Sequence, residues 1–234
     1  MELRIRIIAV LAAMAASIMP LGAQTPPPRS LTMGPIDPYL IANRSAEIAL
    51  ARSAAPASIS AHAEVLVLDR HGFEVAVPGT NHYVCLVERS WDATPSDSPK
   101  YWNPESRGPD CLNPAAARSY LPIVLLKTRL ALAGESGGQI AQAVEAAFNQ
   151  SKLPALEPGA MSYMLSKQAF FGPGQGDWHP HVMFFVPFTQ RNSWGANLPG
   201  SPIFASDDAP DRLTVFMIPV AHWSDGTPDP RAGS

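Results

Sequence analysis

The segment Asp177-Trp178-His179-Pro180-His181 is the strongest local cluster of side chains able to hold a metal ion or move a proton. It runs into Val182-Met183-Phe184-Phe185, an apolar stretch that reads as a strand. In extended backbone, residues two apart project to the same side, so the rings of His179 and His181 are expected about 7 Å apart and facing one way. That spacing suits two ligands of one divalent cation such as zinc. A catalytic zinc takes three protein ligands and a water, so a third must come from elsewhere. Asp177 and His222 are the first candidates, with His62, His71 and His82 behind them. A cation held there would activate water for hydrolysis. The simpler explanation is structural: hydrogen-bonded imidazoles at a strand entrance, with Pro180 limiting edge pairing.

Other constellations are weaker. Gly134-Glu135-Ser136-Gly137-Gly138 has the glycine-flanked serine of trypsin-like proteases, with His62 upstream. It sits between two alanine-rich helical segments, however, where Ser136 and Gln139 form a capping box. Tyr163 and Lys167 have the spacing used by short-chain dehydrogenases, but no GxGxxG follows a strand. No SxxK motif occurs. The tryptophans Trp91, Trp102, Trp178, Trp194 and Trp223 all fall in loops or at strand ends, where aromatic rings line ligand pockets or plug the rim of a core. Trp178, Trp102 and Trp223 are the pocket candidates.

The elements that would position these residues follow from patterning. Asp37-Pro38 starts a helix that continues to Ser53, where Ala55-Pro56 stops it, with Ile41 and Ile48 on its buried stripe. Segments 64–69, 73–77 and 83–88 are strands joined by short turns, which predicts a three-strand meander. The stretch from Ser90 to Asn113 reads as a long ordered loop carrying Trp91, Tyr101 and Trp102. Asn113-Pro114 opens a helical region to Ala133 that Pro122 must kink or divide, and Ser136 starts another helix. Segments 161–166, 181–186 and 213–220 return to strands, with a second long loop over 187–212. Strands, then helices, then strands predict an α+β fold: a mostly antiparallel sheet, made of the N-terminal meander plus C-terminal strands, packed with two or three helices.

Arg4 and Arg6 precede the apolar run from Ile7 to Met19, and Ala23 follows the helix-breaking Pro20, so residues 1–23 read as a cleavable secretory leader. A proline-rich linker over 24–36, one domain over 37–223 and a polar tail over 224–234 complete the division. Losing the leader removes two of 17 basic and one of 20 acidic residues and moves the net charge from −3 to −4. That balance, with its basic residues scattered, gives no electrostatic footprint for nucleic acid. No stretch after the leader is long enough to span a bilayer. The two cysteines, Cys85 and Cys111, are expected to pair in an oxidising compartment. The oligomeric state is not legible in the sequence.

Three strings, Trp178-His179-Pro180-His181, the stretch from Trp194 to Pro202 and the stretch from Thr214 to Pro219, resemble those of a group of exported bacterial proteins without an assigned activity. The resemblance spans most of the mature chain and implies a secreted or periplasmic location. The expectation is therefore an exported protein that binds a small ligand or a divalent metal near His179 and His181. A metal-dependent hydrolase and a structural or partner-binding envelope protein are the alternatives.

Overall fold

The structure, a computed structural model, describes residues 31–96, 99–172 and 179–230. The expected leader and most of the proline-rich linker lie outside these residues, as do Asp177 and Trp178. The described fold is α+β, with helices packed on an eight-stranded mixed sheet that is mostly antiparallel. Its strands are β1 (Glu64–Asp69), β2 (Gly72–Val77), β3 (Val84–Glu88), β4 (Gly108–Leu112), β5 (Met161–Met164), β6 (His181–Pro187), β7 (Phe204–Asp208) and β8 (Leu213–Pro219), arranged β2-β1-β3-β4-β5-β6-β8-β7.

The first three strands do not form a meander. β1 lies between β2 and β3 and pairs with β3 in parallel, through Glu64 with Val84 and Val65 with Cys85. Side-chain pattern explains the placement. Val84-Cys85-Leu86-Val87 is buried on both faces and needs an interior position, whereas β2 exposes Glu74 and Val75 and suits an edge. β2 ends beside the start of β1, so the short connection over 78–83 can pass to the other flank of β1.

Two strands are absent from the sequence reading. β4 carries Gly108, Pro109 and Asp110, all poor strand formers, and β7 reads Phe-Ala-Ser-Asp-Asp. Both are held by their neighbours' registers rather than by their own propensity. Cys111 therefore sits in a strand directly opposite Cys85, and the two form the expected disulfide there. The bridge staples adjacent strands rather than tethering a loop.

The expected helix over 37–53 is two pieces. A 3-10 turn at Asp37–Tyr39 gives way to extended backbone at Leu40, and helix α1 (Arg44–Arg52) starts afresh with the Asn43 side chain accepting from the Ala46 amide. The break lets buried Tyr39 donate its hydroxyl to the Trp102 carbonyl. Ile41 and Ile48 are only partly buried; the fully covered positions of α1 are Glu47 and Ala51. A single turn, α2 (Ala57–Ser60), follows Pro56. Pro122 divides the next helical region as expected, into α3 (Pro114–Ser119) and α4 (Leu121–Leu132). Ser136 and Gln139 make the expected capping box of α5 (Gly137–Asn149).

Strand alternation sorts the core into two layers. Val65, Cys85, Val87 and Cys111 point to the α1 side and pack with Ala51, Ala54 and Ala55. Leu66, Leu68, Val84, Leu86 and Leu112 point the other way, against Ile123, Val124, Ile140 and Val144 of α4 and α5. On the same face as this second set, farther along the sheet, stand Met164, His181, Met183 and Phe185. The segment after β8 hooks back rather than trailing away as a polar tail. Trp223 donates to the Thr227 carbonyl, and buried Asp229 donates its amide to Ala221.

Candidate ligand-binding cavity

Between this face of β6 and β8 and the connection from β3 to β4 lies a cavity of about 540 Å³. Period-2 alternation supplies one wall: His181, Met183 and Phe185 from β6, Leu213, Val215 and Met217 from β8, Ser206 and Asp208 from β7. Glu88 at the end of β3, then Arg89, Ser90 and Asp92, supply the opposite side, with Tyr101 and Tyr120. Tyr120 stacks on Phe185 with ring centroids 3.9 Å apart. The exposed residues Thr94, Ser96, Lys100 and Ser206 mark the mouth. The loop at Ser96 is held by α5: a Cβ on Gly137 would come within 2.2 Å of the Ser96 carbonyl oxygen, so only glycine permits the approach.

The deep end of the cavity is acidic. Lys127 of α4, 1% exposed, donates to an Asp211 carboxylate oxygen at 2.5 Å and to the Asp92 and Ala93 carbonyls at 3.3 Å, and lies 3.7 Å from Asp208. Asp92 accepts the Arg89 amide on Oδ2 at 2.8 Å. Its Oδ1 has no partner, and neither do Asp211 Oδ1, Glu88 Oε1 or Ser90 Oγ. Glu88 retains some exposure as a residue, yet this oxygen is sealed from solvent. Asp110 stands just behind the wall, on the pocket face of β4 in line with Met164 and His181.

Burial disfavours charge, and here it outweighs the bonds and cations beside these acids. It pushes Asp92 and Asp110 each up to about 7 and Asp211 up to about 6. Glu88 is raised well above the usual carboxylate range by burial, with the charges of Asp110 and Asp92 adding to it. Burial opposes the Lys127 ammonium, but Asp211 and Asp208 outweigh that and its pKa is raised. The phenols of Tyr101 and Tyr120, desolvated beside these acids, are raised too and stay protonated.

His181 behaves oppositely. Its Nδ1 lies 2.9 Å from the His179 carbonyl, which can only accept, so Nδ1 carries the proton and Nε2 the lone pair. Burial lowers its pKa. The cavity thus sets a neutral imidazole opposite carboxyl groups that hold protons unusually well.

The sequence candidates do not converge. His179 turns to Asp229, with Nδ1 2.7 Å from a carboxylate oxygen, and does not line the cavity. His222 is exposed beside an isolated bridge to Pro228. Among the described residues, no three His, Cys, Asp or Glu side chains are grouped to hold a metal ion. Trp102 is buried in the core, where its indole donates to the Leu31 carbonyl at 3.0 Å, and Trp223 is buried at the C-terminal hook. Neither lines the cavity. Among the described residues proposed from sequence as ligands or pocket aromatics, only His181 does. The acids were missed because isolated Asp and Glu residues scattered over 88–211 look like ordinary surface charge. The one available signal was Glu88 closing an otherwise apolar strand.

No known protein family, curated protein or solved structure matches the chain. Within the described residues no helix is long and apolar enough to cross a membrane.

Proposed function

We propose that this protein binds a small organic ligand in the cavity walled by His181, Met183 and Phe185, and that it does so outside the cytoplasm. The cavity has the volume of an ordinary small-molecule site, apolar along one wall and polar at one end. The observation that carries the reading is a cavity whose apolar wall ends at three carboxyl residues, Glu88, Asp92 and Asp211, all of which line it. An apolar space with a few convergent polar groups at one end is the usual form of a small-molecule site. The disulfide between Cys85 and Cys111 supports the location, because thiols in the cytoplasm are kept reduced.

Thermal-shift screening of a metabolite collection, run on the parent protein and on Met183→Trp, tests the binding reading. At least one compound should raise the Tm of the parent, and the indole should abolish that rise by filling the cavity. If no compound stabilises the parent, or if Met183→Trp responds as the parent does, the proposal fails. Zinc serves as the contrasting arm: stabilisation by zinc that disappears in His181→Ala would favour a metal site instead.

A further inference from the structure

We infer that the ligand is an organic cation bearing N–H donors on an apolar body, a primary ammonium or a guanidinium, seated with its charged end among Glu88, Asp92 and Asp211. The inference rests on the cavity reading above and names the chemistry the cavity selects.

Three features of the site point the same way. The first is the kind of group left unsatisfied. Asp92 and Asp211, 4% and 2% exposed, line the cavity together with Glu88, and each of the three keeps one carboxyl oxygen without a hydrogen bond in the wall behind its surface. Lone pairs of this kind are satisfied by donors, and charged N–H groups make the strongest such bonds with carboxylates. The second is charge. Four acids, Glu88, Asp92, Asp208 and Asp211, gather around Lys127, and Asp110 adjoins Glu88 and Asp92. Of the cations that line the cavity, Lys100 stands at the exposed mouth and Arg89 is committed to Glu47, the Tyr39 carbonyl and the Val87 carbonyl. As these acids give up their protons they favour an arriving cation over an anion. The third is shape. Met183, Phe185, Val215 and Met217 form an apolar strip leading away from the acids, with the stacked faces of Tyr120 and Phe185 beside it. An alkyl or aryl group attached to the cation would lie there.

Burial raises Asp92 to about 7 and Asp211 to about 6, so near neutrality both hold exchangeable protons. A ligand with N–H donors would release them.

Titration calorimetry on the full chain at pH 7.5 tests the assignment with four probes of one length: hexylamine, hexyltrimethylammonium, 1-hexanol and hexanoate. Hexylamine, protonated at this pH, should bind about tenfold or more tightly than each of the others. The trimethylated probe keeps the charge but has no donors; hexanol keeps a donor but has no charge. Glu88→Gln should weaken hexylamine about tenfold and leave hexanol unchanged. The comparison among probes needs no variant, so a failure of Glu88→Gln to fold would not rescue the idea. If hexanol or hexanoate matches hexylamine, and Met183→Trp abolishes that binding, the cavity reading stands and the cation assignment is overturned. If none of the four binds, the cation assignment falls; if the metabolite screen is also blank, the cavity reading falls with it.

Discussion

Arg89 and Lys127 are both buried cations facing carboxylates, yet their surroundings are built on opposite plans. Arg89 uses Nε on the Tyr39 carbonyl, Nη1 on the Val87 carbonyl and Nη2 on Glu47 at 2.7 Å, while Glu47 also accepts the Leu68 amide at 3.1 Å. One positive charge meets one negative charge, and both are shut from solvent. Lys127 sits among more acids than it can neutralise, several of them with an unbonded oxygen. The difference separates a polar pair closed on itself from a cluster whose acids outnumber its cation. The Arg89 pair ties α1 to β1 and β3 and the 3-10 turn at Tyr39, whereas the Lys127 cluster encloses a cavity.

The comparison breaks most visibly at Arg89. Arg89→Met leaves Glu47 charged in a closed site and frees two backbone carbonyls, and should cost about 3–5 kcal/mol of unfolding free energy, read by urea denaturation. A loss below about 1 kcal/mol would show that the pair is dispensable and that the two clusters do not differ in kind. The disulfide belongs to the same satisfied half, within the alanine-rich layer under α1. Replacing both cysteines by alanine should cost about 3 kcal/mol, since the bridge closes a 26-residue separation in the unfolded chain. Because Cys85 and Cys111 already face each other across paired strands, binding in the cavity should be unaffected.

The satisfied half was also the more legible from sequence, and the reason is physical. Capping chemistry is local: Asn113 and Ser136 each bond an amide three residues away, so spacing alone reveals them. The cystine was legible because the chain has only these two cysteines. The order β2-β1-β3 was obscured by a rule that favours neighbours in sequence, although the fully apolar Val84 to Val87 argued for an interior strand. β4 was invisible because Gly108, Pro109 and Asp110 owe their extended form to β3 beside them. The cavity acids come from β3, the turn after it, β4, β7 and the turn before β8, a convergence that exists only once the sheet is assembled. His181 was found for its type, but His179, expected beside it, turned instead to Asp229, which the hooked C-terminal segment supplies.

Lys127→Met sharpens the contrast, because it removes a buried cation as Arg89→Met does. The acids it leaves behind can take up protons near neutrality and border a cavity open to water, so the loss at pH 7 should be only about 1–3 kcal/mol. It should also shrink as the pH is lowered toward 5, where Asp211, raised to about 6, accepts its proton. A loss as large as that of Arg89→Met and independent of pH would mean that Lys127 is a closed structural pair after all.

The smallest effect, and the one of opposite sign, is expected at Asp110. Its folded pKa of about 7 lies above the ordinary aspartate value of about 4 in an unfolded chain. Folding therefore takes up a proton between those values, so the contribution of this group is fully present below about pH 4 and is lost as the pH rises through about 7. Asp110→Asn keeps the shape and removes the charge beside Ser162. It also relieves Glu88, for which Asp110 is the foremost neighbouring charge. The variant should match the parent at pH 5 and exceed it by about 1 kcal/mol at pH 8, measured from urea midpoints at the two pH values. His181, with its pKa lowered by burial, runs the other way, its contribution present above the ordinary histidine value and lost as the pH falls below it, but it is common to both proteins and cancels in the difference. A variant less stable than the parent at pH 8 would show that the Asp110 charge is compensated in the fold, and the distinction between the two clusters would lose its energetic basis.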